Sequence, residues 1–264
     1  TYEEMKGGGA ESYPFRRLLE KADARLHDFD GPIDAIVTFW DFPATSLQAI
    51  LARRWGVHGP SLESTLKCEH KYWSRLEQSR LFDLHPGFAQ IDPFDEDMLR
   101  KVDLEYPFWI KPIKSTDSML AYLVDSDEDF ENTLAGIRAK IHTIGDAFNI
   151  ILDHAELPRE IREVDGNHCI AEQVLHGSQH TVSGYVFNGR ATAYGIIDSV
   201  NYPERWSFFR YEYPSALPEE VRDRMRDASC RLVEHFGLDN SPFNVEYFYD
   251  RGNDTLRILE VNPR

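Results

Sequence analysis

Two acidic side chains near the end of the chain could share a metal ion. Glu246 lies in residues 243–250 and Glu260 in residues 255–262, two runs in which apolar and polar side chains alternate as in a β-hairpin. Asn262 shares the face of Glu260, because successive residues of a strand alternate between its faces. Like charges that face each other destabilise a sheet, and a divalent cation between them reverses that effect. Two carboxylates and an amide suit magnesium, which keeps water and phosphate in its other positions.

The pairing of these carboxylates depends on where the hairpin turns. Residues 250–254 form a loop rich in turn-forming side chains. If the loop is centred on Asn253, Glu246 lies directly opposite Glu260; a loop centred half a residue away puts Glu246 opposite Leu259 instead. The hairpin alone is equally compatible with two exposed glutamates on a solvent face.

Arginines could bind the anionic groups of such a site. Arg264 follows Asn262 on the same alternation, and its permanent cation could stabilise phosphoryl transfer beside the metal. The alternative is a surface arginine at a frayed terminus. Residues 198–214 are aromatic and contain Arg205 and Arg210, either of which could fix a substrate carboxylate near an acceptor pocket. A packed surface loop is an equally good interpretation of that segment.

Lysines could contact nucleotide phosphates. Lys111 ends the apolar run 106–112, YPFWIKP, where a lysine needs an anionic partner unless its amine reaches solvent past the end of the strand. Lys71 lies midway along a predicted helix, with Lys67 as a competing candidate, and from its position alone a solvated helix face is the simpler interpretation of Lys71.

The segment after that strand could cradle phosphates. Ser115, Thr116 and Ser118 offer hydroxyl groups, and the turn offers backbone N–H groups. The segment contains no glycine, so an ordinary polar turn is the competing interpretation.

Two polar residues in an apolar strand could read an adenine ring. Glu172 and Gln173 lie in residues 170–175, where backbone groups and a side-chain acceptor could bind the base. An edge strand is the simpler interpretation. His176 and His180 are separated by a glycine, so no helical metal pair is predicted, and no Ser/His/Asp arrangement can be identified.

A frame of alternating helices and strands must position these side chains. The predicted helices cover residues 11–28, 44–55, 61–80, 127–153 and 218–236; the predicted strands cover 33–40, 106–112, 119–124, 169–175, 180–188, 190–199 and the final hairpin. Strand, helix and short strand over residues 33–58 are typical of part of a doubly wound sheet, and we expect one or two further strands of that sheet before Thr1.

Composition excludes several classes of function. The 264 residues include 42% hydrophobic side chains, so a sizeable core is expected, and the net charge of −16 argues against binding to nucleic acid. Three widely spaced cysteines suggest free thiols in a reducing compartment. We find neither a membrane-spanning apolar run nor a signal peptide, and expect a soluble cytoplasmic protein.

Taken together and in order, these segments resemble the ATP-grasp superfamily over roughly residues 57–264. The most specific resemblance is the combination of FNVE with a terminal LEVNPR. Residues 59–61 with His70-Lys71 resemble the entry segment of the family, residues 108–112 its strand with a phosphate-contacting lysine, and residues 114–121 its mobile phosphate loop. Residues 171–177 resemble the interdomain hinge that holds adenine, and residues 179–184 the strand that follows the hinge. Residues 243–246 and 258–264 resemble the paired magnesium-binding strands.

The resemblance implies an α/β (α+β) fold of the ATP-grasp type, in which two α+β subdomains clasp ATP. It implies part of a doubly wound pre-ATP-grasp domain in residues 1–66 and an ATP-grasp domain in residues 67–264, with a lid subdomain at about 105–170. Family members continue past Arg264 through a glycine-containing loop, so we expect this domain to be truncated.

The resemblance also implies cofactors and residue roles. The cofactors are ATP and Mg²⁺, with Mn²⁺ as a substitute. The implied metal ligands are Glu246, Glu260 and Asn262, and the implied catalytic residues are Arg264 and Lys111. The residues implied to bind the phosphates are Lys71, Lys111, Ser115 and Ser118. Those implied to bind the rest of the nucleotide are Glu172, Gln173, Val174, Leu175 and Gln179. Two features depart from the family pattern: the phosphate loop lacks glycines, and Gln179 stands where a glutamate is common.

Three functions follow from the resemblance. The first is a carboxylate–amine ligase, which activates a small acid as an acyl phosphate for attack by an amine. The second is an enzyme similar to biotin carboxylase, in which bicarbonate is the phosphorylated acid. The third is a nucleotide-binding module without catalysis, which the glycine-poor loop would favour. The expected partners are small molecules, and a homodimer is compatible with the superfamily.

Overall fold

The computed structural model describes residues 14–115, 119–202 and 208–264. Four helices make up most of its first part: α1 Phe15–His27, α2 Ala44–Trp55, α3 Leu62–Glu69 and α4 Lys71–Leu81. The predicted bounds of α2 are confirmed. Gly56 ends this helix at a φ of 65°, in the left-handed region that glycine adopts without steric cost.

The strand predicted at residues 33–40 is wrong. In this segment Ala35 makes only an isolated parallel bridge with His58. The apolar side chains of Val37 and Phe39 are 81% and 94% exposed, respectively. An apolar run forms a buried strand only when neighbouring strands pair with its backbone. Among the described residues, the bridge to His58 is the one strand-like backbone pairing of this segment.

The first sheet has four antiparallel strands in the order β1-β4-β2-β3. Its strands are β1 Phe88–Ile91, β2 Phe108–Pro112, β3 Tyr122–Val124 and β4 Cys169–Gln173. A 3₁₀ turn, Met98–Lys101, lies between β1 and β2, and three helices lie between β3 and β4: α5 Asp127–Arg138, α6 His142–Leu152 and α7 Arg159–Arg162.

The second sheet has five antiparallel strands in the order β7-β6-β5-β8-β9. Its strands are β5 Ser178–Phe187, β6 Arg190–Asn201, β7 Phe208–Glu212, β8 Ser241–Asp250 and β9 Thr255–Pro263. Helix α8, Glu219–His235, follows β7 and packs against β5 and β6. Its predicted position is confirmed, with Pro218 before its first residue and Gly237 after its end.

Three groups of buried side chains form the core. One joins the first helices to α6 and β4, and includes Phe15, Trp73, Phe148 and Ile170. The second packs the other face of the first sheet against α5, and includes Phe108, Phe130, Leu134 and Ala171. The third lies between the second sheet and α8, and includes Val182, Met225, Leu232 and Val245. The first sheet is therefore covered on both faces.

Two predicted helices are each broken into two. The helix predicted at 61–80 is interrupted at His70, whose backbone is extended and whose Nδ1 accepts a hydrogen bond from the N–H of Trp73. The helix predicted at 127–153 is interrupted at residues 139–141. Ile137, Ile141 and Ile144 are nevertheless fully buried, as their spacing predicted. Helical periodicity fails to reveal such breaks because the apolar face continues across them.

Strands β1 and β7 were not predicted. β1 has only four residues, too few for a clear alternation. All five residues of β7 are exposed, so the alternation of buried and exposed side chains that identifies a strand is absent. Within the described residues, no helix has both the length and the apolar character needed to span a membrane.

Candidate active site

The two carboxylates of the final hairpin face each other, but not for the reason that sequence suggested. The ladder next to the turn is centred half a residue before Asn253. Continued regularly, that ladder would put Glu246 opposite Leu259. A β-bulge instead shifts the register by one residue and brings Glu260 opposite Glu246. The predicted pairing is confirmed, and the assumed turn centre is wrong.

Glu246 is held by amide side chains on both sides. Its two carboxylate oxygens accept hydrogen bonds from Gln179 Nε2 at 2.9 Å and from Asn262 Nδ2 at 3.1 Å. Burial and the neighbouring Glu260 together raise the pKa of Glu246 to about 7. The charged form of Glu246 is therefore disfavoured at this point of the sheet, and a bound cation would favour it.

Glu260 faces a group of lysines. Lys71 Nζ lies 3.0 Å from a carboxylate oxygen of Glu260. Burial would raise the pKa of Glu260, but the positive charges of Lys71, Lys114 and Lys111 outweigh it and hold that pKa below its ordinary value. Lys71 is the first residue of α4, not a mid-helix residue as predicted, because the chain breaks at His70. The break lets the lysine reach the carboxylate.

Lys114 is a buried cation that sequence reasoning did not assign to the site. Its Nζ lies 3.9 Å from Glu69 and 4.5 Å from the centre of the Phe42 ring. Burial lowers the pKa of Lys114, and so does the positive charge of Lys71. Glu69 is itself held by hydroxyl groups, including Ser46 Oγ at 2.8 Å. The first helices thus contribute charged groups beside the hairpin.

Lys111 and Glu172 form a buried ion pair across neighbouring strands. Lys111 Nζ lies 2.8 Å from one oxygen of Glu172, and Arg75 Nε lies 2.6 Å from the other. Burial alone would raise the pKa of Glu172, but the two cations lower it to about 2. The anionic partner that Lys111 needs is therefore Glu172. The glutamate is 3% exposed, and its predicted contact with adenine stays a prediction.

Residues 174–177 connect the two sheets. β4 ends at Gln173 in the first sheet, and β5 begins at Ser178 in the second. Val174 and Leu175 are half-buried in this connection. The Gln173 N–H already donates to the Gly87 carbonyl at 2.9 Å. The segment therefore lies between the two sheets, the position expected of the predicted hinge.

Arg264 lies beside the carboxylate pair. With the Asn244 amide turned so that its oxygen faces the arginine, this oxygen accepts hydrogen bonds from Arg264 Nε at 3.1 Å and Nη2 at 2.6 Å. The guanidinium also pairs with Asp41, which follows the exposed apolar segment 33–40. Asp41 was not predicted as a site residue, since nothing in its sequence neighbourhood indicates this distant contact.

An open cleft of about 250 Å³ lies next to these groups. Glu246 and Arg264 line it together with an apolar patch of Ile197, Phe208 and Tyr211. The aromatic segment 198–214 therefore contributes to a cleft at the site, as its composition suggested. Its arginines are placed differently: Arg210 pairs with Glu212 at 2.5 Å, and Arg205 lies outside the described residues.

The phosphate loop is described only in part. The backbone oxygen of Ser115 accepts a hydrogen bond from Lys71 Nζ at 3.5 Å. Thr116 and Ser118 lie outside the described residues, so their predicted role is untested.

A second polar network lies on the opposite face of β5. His180 Nε2 is 2.6 Å from Ser178 Oγ, and its Nδ1 is 2.7 Å from Asp198 Oδ1. The other oxygen of Asp198 accepts from the Ala216 N–H at 2.8 Å. The network ties β5 and β6 to the segment before α8. Sequence could not reveal it, because its members lie on separate elements.

The residues present fit a magnesium ion. Glu246, Glu260 and Asn262 lie on one face of a hairpin, and their carboxylate and amide groups carry the oxygen atoms that magnesium prefers. In the described part of the chain no cluster of three or more His, Cys, Asp or Glu side chains could hold a metal alone. Magnesium, which retains water and phosphate ligands, needs no such cluster.

Comparisons with known proteins agree with this geometry. A family model described as the ATP-grasp domain matches residues 104–264. A D-alanine–D-alanine ligase from Synechococcus sp. (strain CC9605) is 25% identical over 196 residues, which cover 71% of this chain and 46% of the ligase.

Solved structures resemble this fold as well. An L-amino acid ligase from Bacillus licheniformis superposes with a TM-score of 0.70 at 18% identity, over 95% of this chain and 53% of that protein. Biotin carboxylase from Campylobacter jejuni, solved as a beta-gamma-ATP complex, gives 0.68 at 16% identity, over 95% and 52%. The likeness at these identities is one of fold, and this chain spans about half the length of each relative.

Proposed function

Because this chain belongs to the ATP-grasp family, we propose that it is the ATP-binding part of a carboxylate–amine ligase. The observation that supports this most directly is the opposed pair of Glu246 and Glu260, which lies among Lys71, Lys111 and Arg264. Two carboxylates with excess charge suit a divalent cation, and the surrounding cations suit the phosphates that the metal would bridge.

We assign ATP to the cleft between the two sheets. Its adenine would lie at the hinge, against Gln173, Val174 and Leu175, with Gln179 on the strand that follows. Its phosphates would extend towards Lys111, Lys71 and the loop with Ser115 and Ser118. Mg²⁺, or Mn²⁺ in its place, would be held by Glu246, Glu260 and Asn262. The distance from hinge to hairpin is spanned by β5, which begins at Ser178 and pairs Thr181 with Glu246.

Phosphoryl transfer on this site is a matter of position and charge. The metal, when bound, neutralises phosphate charge and orients the γ-phosphoryl group. Arg264 lies where it could stabilise the charge that develops as a substrate carboxylate oxygen attacks the γ-phosphorus and ADP leaves. Asn244 orients the guanidinium for that contact. An amine would then attack the acyl phosphate and release inorganic phosphate.

The lining of the cleft favours an organic acid over bicarbonate. Ile197, Phe208 and Tyr211 lie beside the proposed metal site and give it apolar surface, and bicarbonate has no apolar surface to cover. The presence of acidic, basic and apolar groups around one cleft supports a catalytic protein over an inactive module.

Release of phosphate from ATP tests the proposal. We expect pooled amino acids or other small carboxylic acids, with magnesium, to stimulate release. Glu260→Gln should reduce the rate by about 10²–10³-fold, as the loss of one charge-stabilising group does in other active sites. Glu96→Gln, which changes an exposed glutamate elsewhere, serves as the matched control. ATP binding with no release under any acid would support the inactive module and contradict the ligase.

A further inference from the structure

The β-bulge of β9 decides which face Glu260 occupies. Buried and less buried residues alternate along β9 except at Leu259 and Glu260, which are both half-buried and both lie opposite Glu246. Ile258 and Val261, on either side, are buried in the core of the second sheet. Without the extra residue, Leu259 would take the position of Glu260 and the two carboxylates would not meet. A bulge also leaves backbone groups outside the regular ladder, and these need other partners when buried.

Arg75 supplies partners for two carbonyls there, and the Leu84 carbonyl accepts a hydrogen bond from the Ile258 N–H at 2.7 Å. From α4, its Nη2 donates to the Leu259 carbonyl at 2.7 Å and its Nη1 to the Ile258 carbonyl at 3.2 Å. These are the carbonyls at and just before the bulge. The arginine is 3% exposed, so the guanidinium meets them away from water, where each hydrogen bond is worth more than at a surface.

The guanidinium is held in place by two further acceptors. Its Nε donates to Glu172 at 2.6 Å, and its Nη1 also donates to Gln78 Oε1 at 2.7 Å. A buried cation requires this kind of compensation. Glu172 lies next to the last residue of β4. The Arg75 guanidinium therefore connects the end of β4, in the first sheet, to the bulge of β9, in the second. A lysine has a single amine in place of the branched guanidinium and could not donate to all of these acceptors at once.

We propose that Arg75 is a positioning residue that holds the bulge of β9 and thereby aims Glu260 at the cation. The proposal rests on the proposed function only in taking Glu260 as a metal ligand. The side chain of Arg75 contacts Glu172, Gln78 and two carbonyls of β9, and it contacts none of the proposed metal-binding side chains. Its effect passes through the carbonyls of Ile258 and Leu259 to the side chain that follows. The sequence signal is its position four residues after Lys71, on the same face of α4.

Metal affinity measured without catalysis is the test. Mn²⁺ is titrated into the full chain with a non-hydrolysable ATP analogue and followed by its electron paramagnetic resonance. Arg75→Lys keeps a positive charge beside Glu172 but loses the two contacts to the bulge. We expect Mn²⁺ to bind about 10–100-fold more weakly, the range seen when groups that orient metal ligands are changed. Amide hydrogen exchange at residues 258–261 should speed up in parallel.

Tyr247→Phe is the control for lost stability. It removes the buried hydrogen bond to Ser229, 2.8 Å long, from the opposite face of β8. It should lower the melting temperature and leave Mn²⁺ affinity within about twofold of the parent chain. If Arg75→Lys does not fold, Gln78→Met replaces it, since this change frees Nη1 with little change in volume and should weaken Mn²⁺ binding by a few-fold.

Two outcomes would overturn the proposal. One is Mn²⁺ affinity that is unchanged in Arg75→Lys, or in Gln78→Met when it stands in. The other is unchanged amide exchange at residues 258–261. If the parent chain itself binds no Mn²⁺ with the analogue, the proposed function has failed, and amide exchange alone then decides whether Arg75 holds the bulge.

Discussion

At the scale of single residues, the site contains buried charges that need oppositely charged or hydrogen-bonding partners. Glu172 is buried and would be costly as a lone anion, but it lies between Arg75 and Lys111. Glu246 accepts hydrogen bonds from two neutral amides, those of Gln179 and Asn262, and carries a pKa raised to about 7. The chain itself therefore supplies the cations that Glu172 needs. A bound metal ion would stabilise the charged form of Glu246.

The pKa of Glu172 predicts how stability depends on pH. It falls from an ordinary value of 4.5 to about 2 in the folded state, so the charged form stabilises the fold. That stabilisation, on the order of 3 kcal/mol, is complete above pH 4.5 and is lost as pH falls from 4.5 towards 2. In Glu172→Gln, Arg75 and Lys111 lose their partner at neutral pH, and the difference from the parent chain should shrink in acid.

Urea unfolding at pH 7 and pH 3 measures this effect. The free-energy difference between Glu172→Gln and the parent should be larger at pH 7 by an amount well above the experimental error. Glu163→Gln, at an exposed position in a pair with an exposed arginine, should show little difference at either pH. An equal loss at both pH values would mean that packing, and not charge, explains the effect of the substitution.

At the scale of elements, the connection between β4 and β5 requires glycine at position 177. Gly177 has a φ of 108°, and a Cβ built on it would lie 2.2 Å from the Tyr249 carbonyl oxygen. The obstacle is backbone of β8, which cannot swing aside as a side chain can. The connection that leads into β5 therefore approaches β8, its neighbour in the second sheet, at a distance that only glycine permits.

Gly177→Ala should lower both stability and nucleotide affinity. The unfavourable φ alone costs about 1–3 kcal/mol, and relief of the clash must move β5 away from β8. Gly189→Ala separates these causes: it also has a positive φ, 70°, but no heavy atom lies within 4 Å of its Cβ position. Melting temperature and analogue affinity are the measurements. Equal effects of the two substitutions would show that the close approach is unimportant.

At the scale of the whole molecule, an acidic chain places four of its cations close together where phosphate is expected. The net charge is −16 with 29 lysines and arginines, yet Lys71, Lys111, Lys114 and Arg75 all lie around the carboxylates of Glu260 and Glu172. These cations come from α4, from β2 and from the segment after β2. A ligand that bridges the two sheets should therefore stabilise them together.

Thermal unfolding tests this coupling. A non-hydrolysable ATP analogue with magnesium, at a hundred times its dissociation constant, should raise the melting temperature by about 5–10 °C. In Glu246→Gln most of the increment that depends on magnesium should disappear, while the analogue alone should have a similar small effect on both proteins. The absence of any shift in the parent chain would contradict a nucleotide site between the sheets.

Much of this arrangement could be predicted from sequence, because its signals are local. The alternation along the final hairpin, the lysine at the end of an apolar strand and the order of the motifs are all properties of neighbouring residues. They identified α2, α8, the final hairpin and the family. They also indicated that Glu246 would meet Glu260, although the turn that was assumed is not the turn that forms.

Tertiary structure decided what depends on contact between distant segments. The bulge that brings Glu260 to Glu246 is held by Arg75, 184 positions before Leu259. Lys71 reaches Glu260 because His70 breaks a helix, and Asp41 pairs with Arg264 across nearly the whole chain. Hydrophobic periodicity predicts none of the three contacts, because it reports which face of an element is buried and not which distant residue that element meets. Local sequence therefore determined the elements and the kind of chemistry, and packing determined which charges face one another.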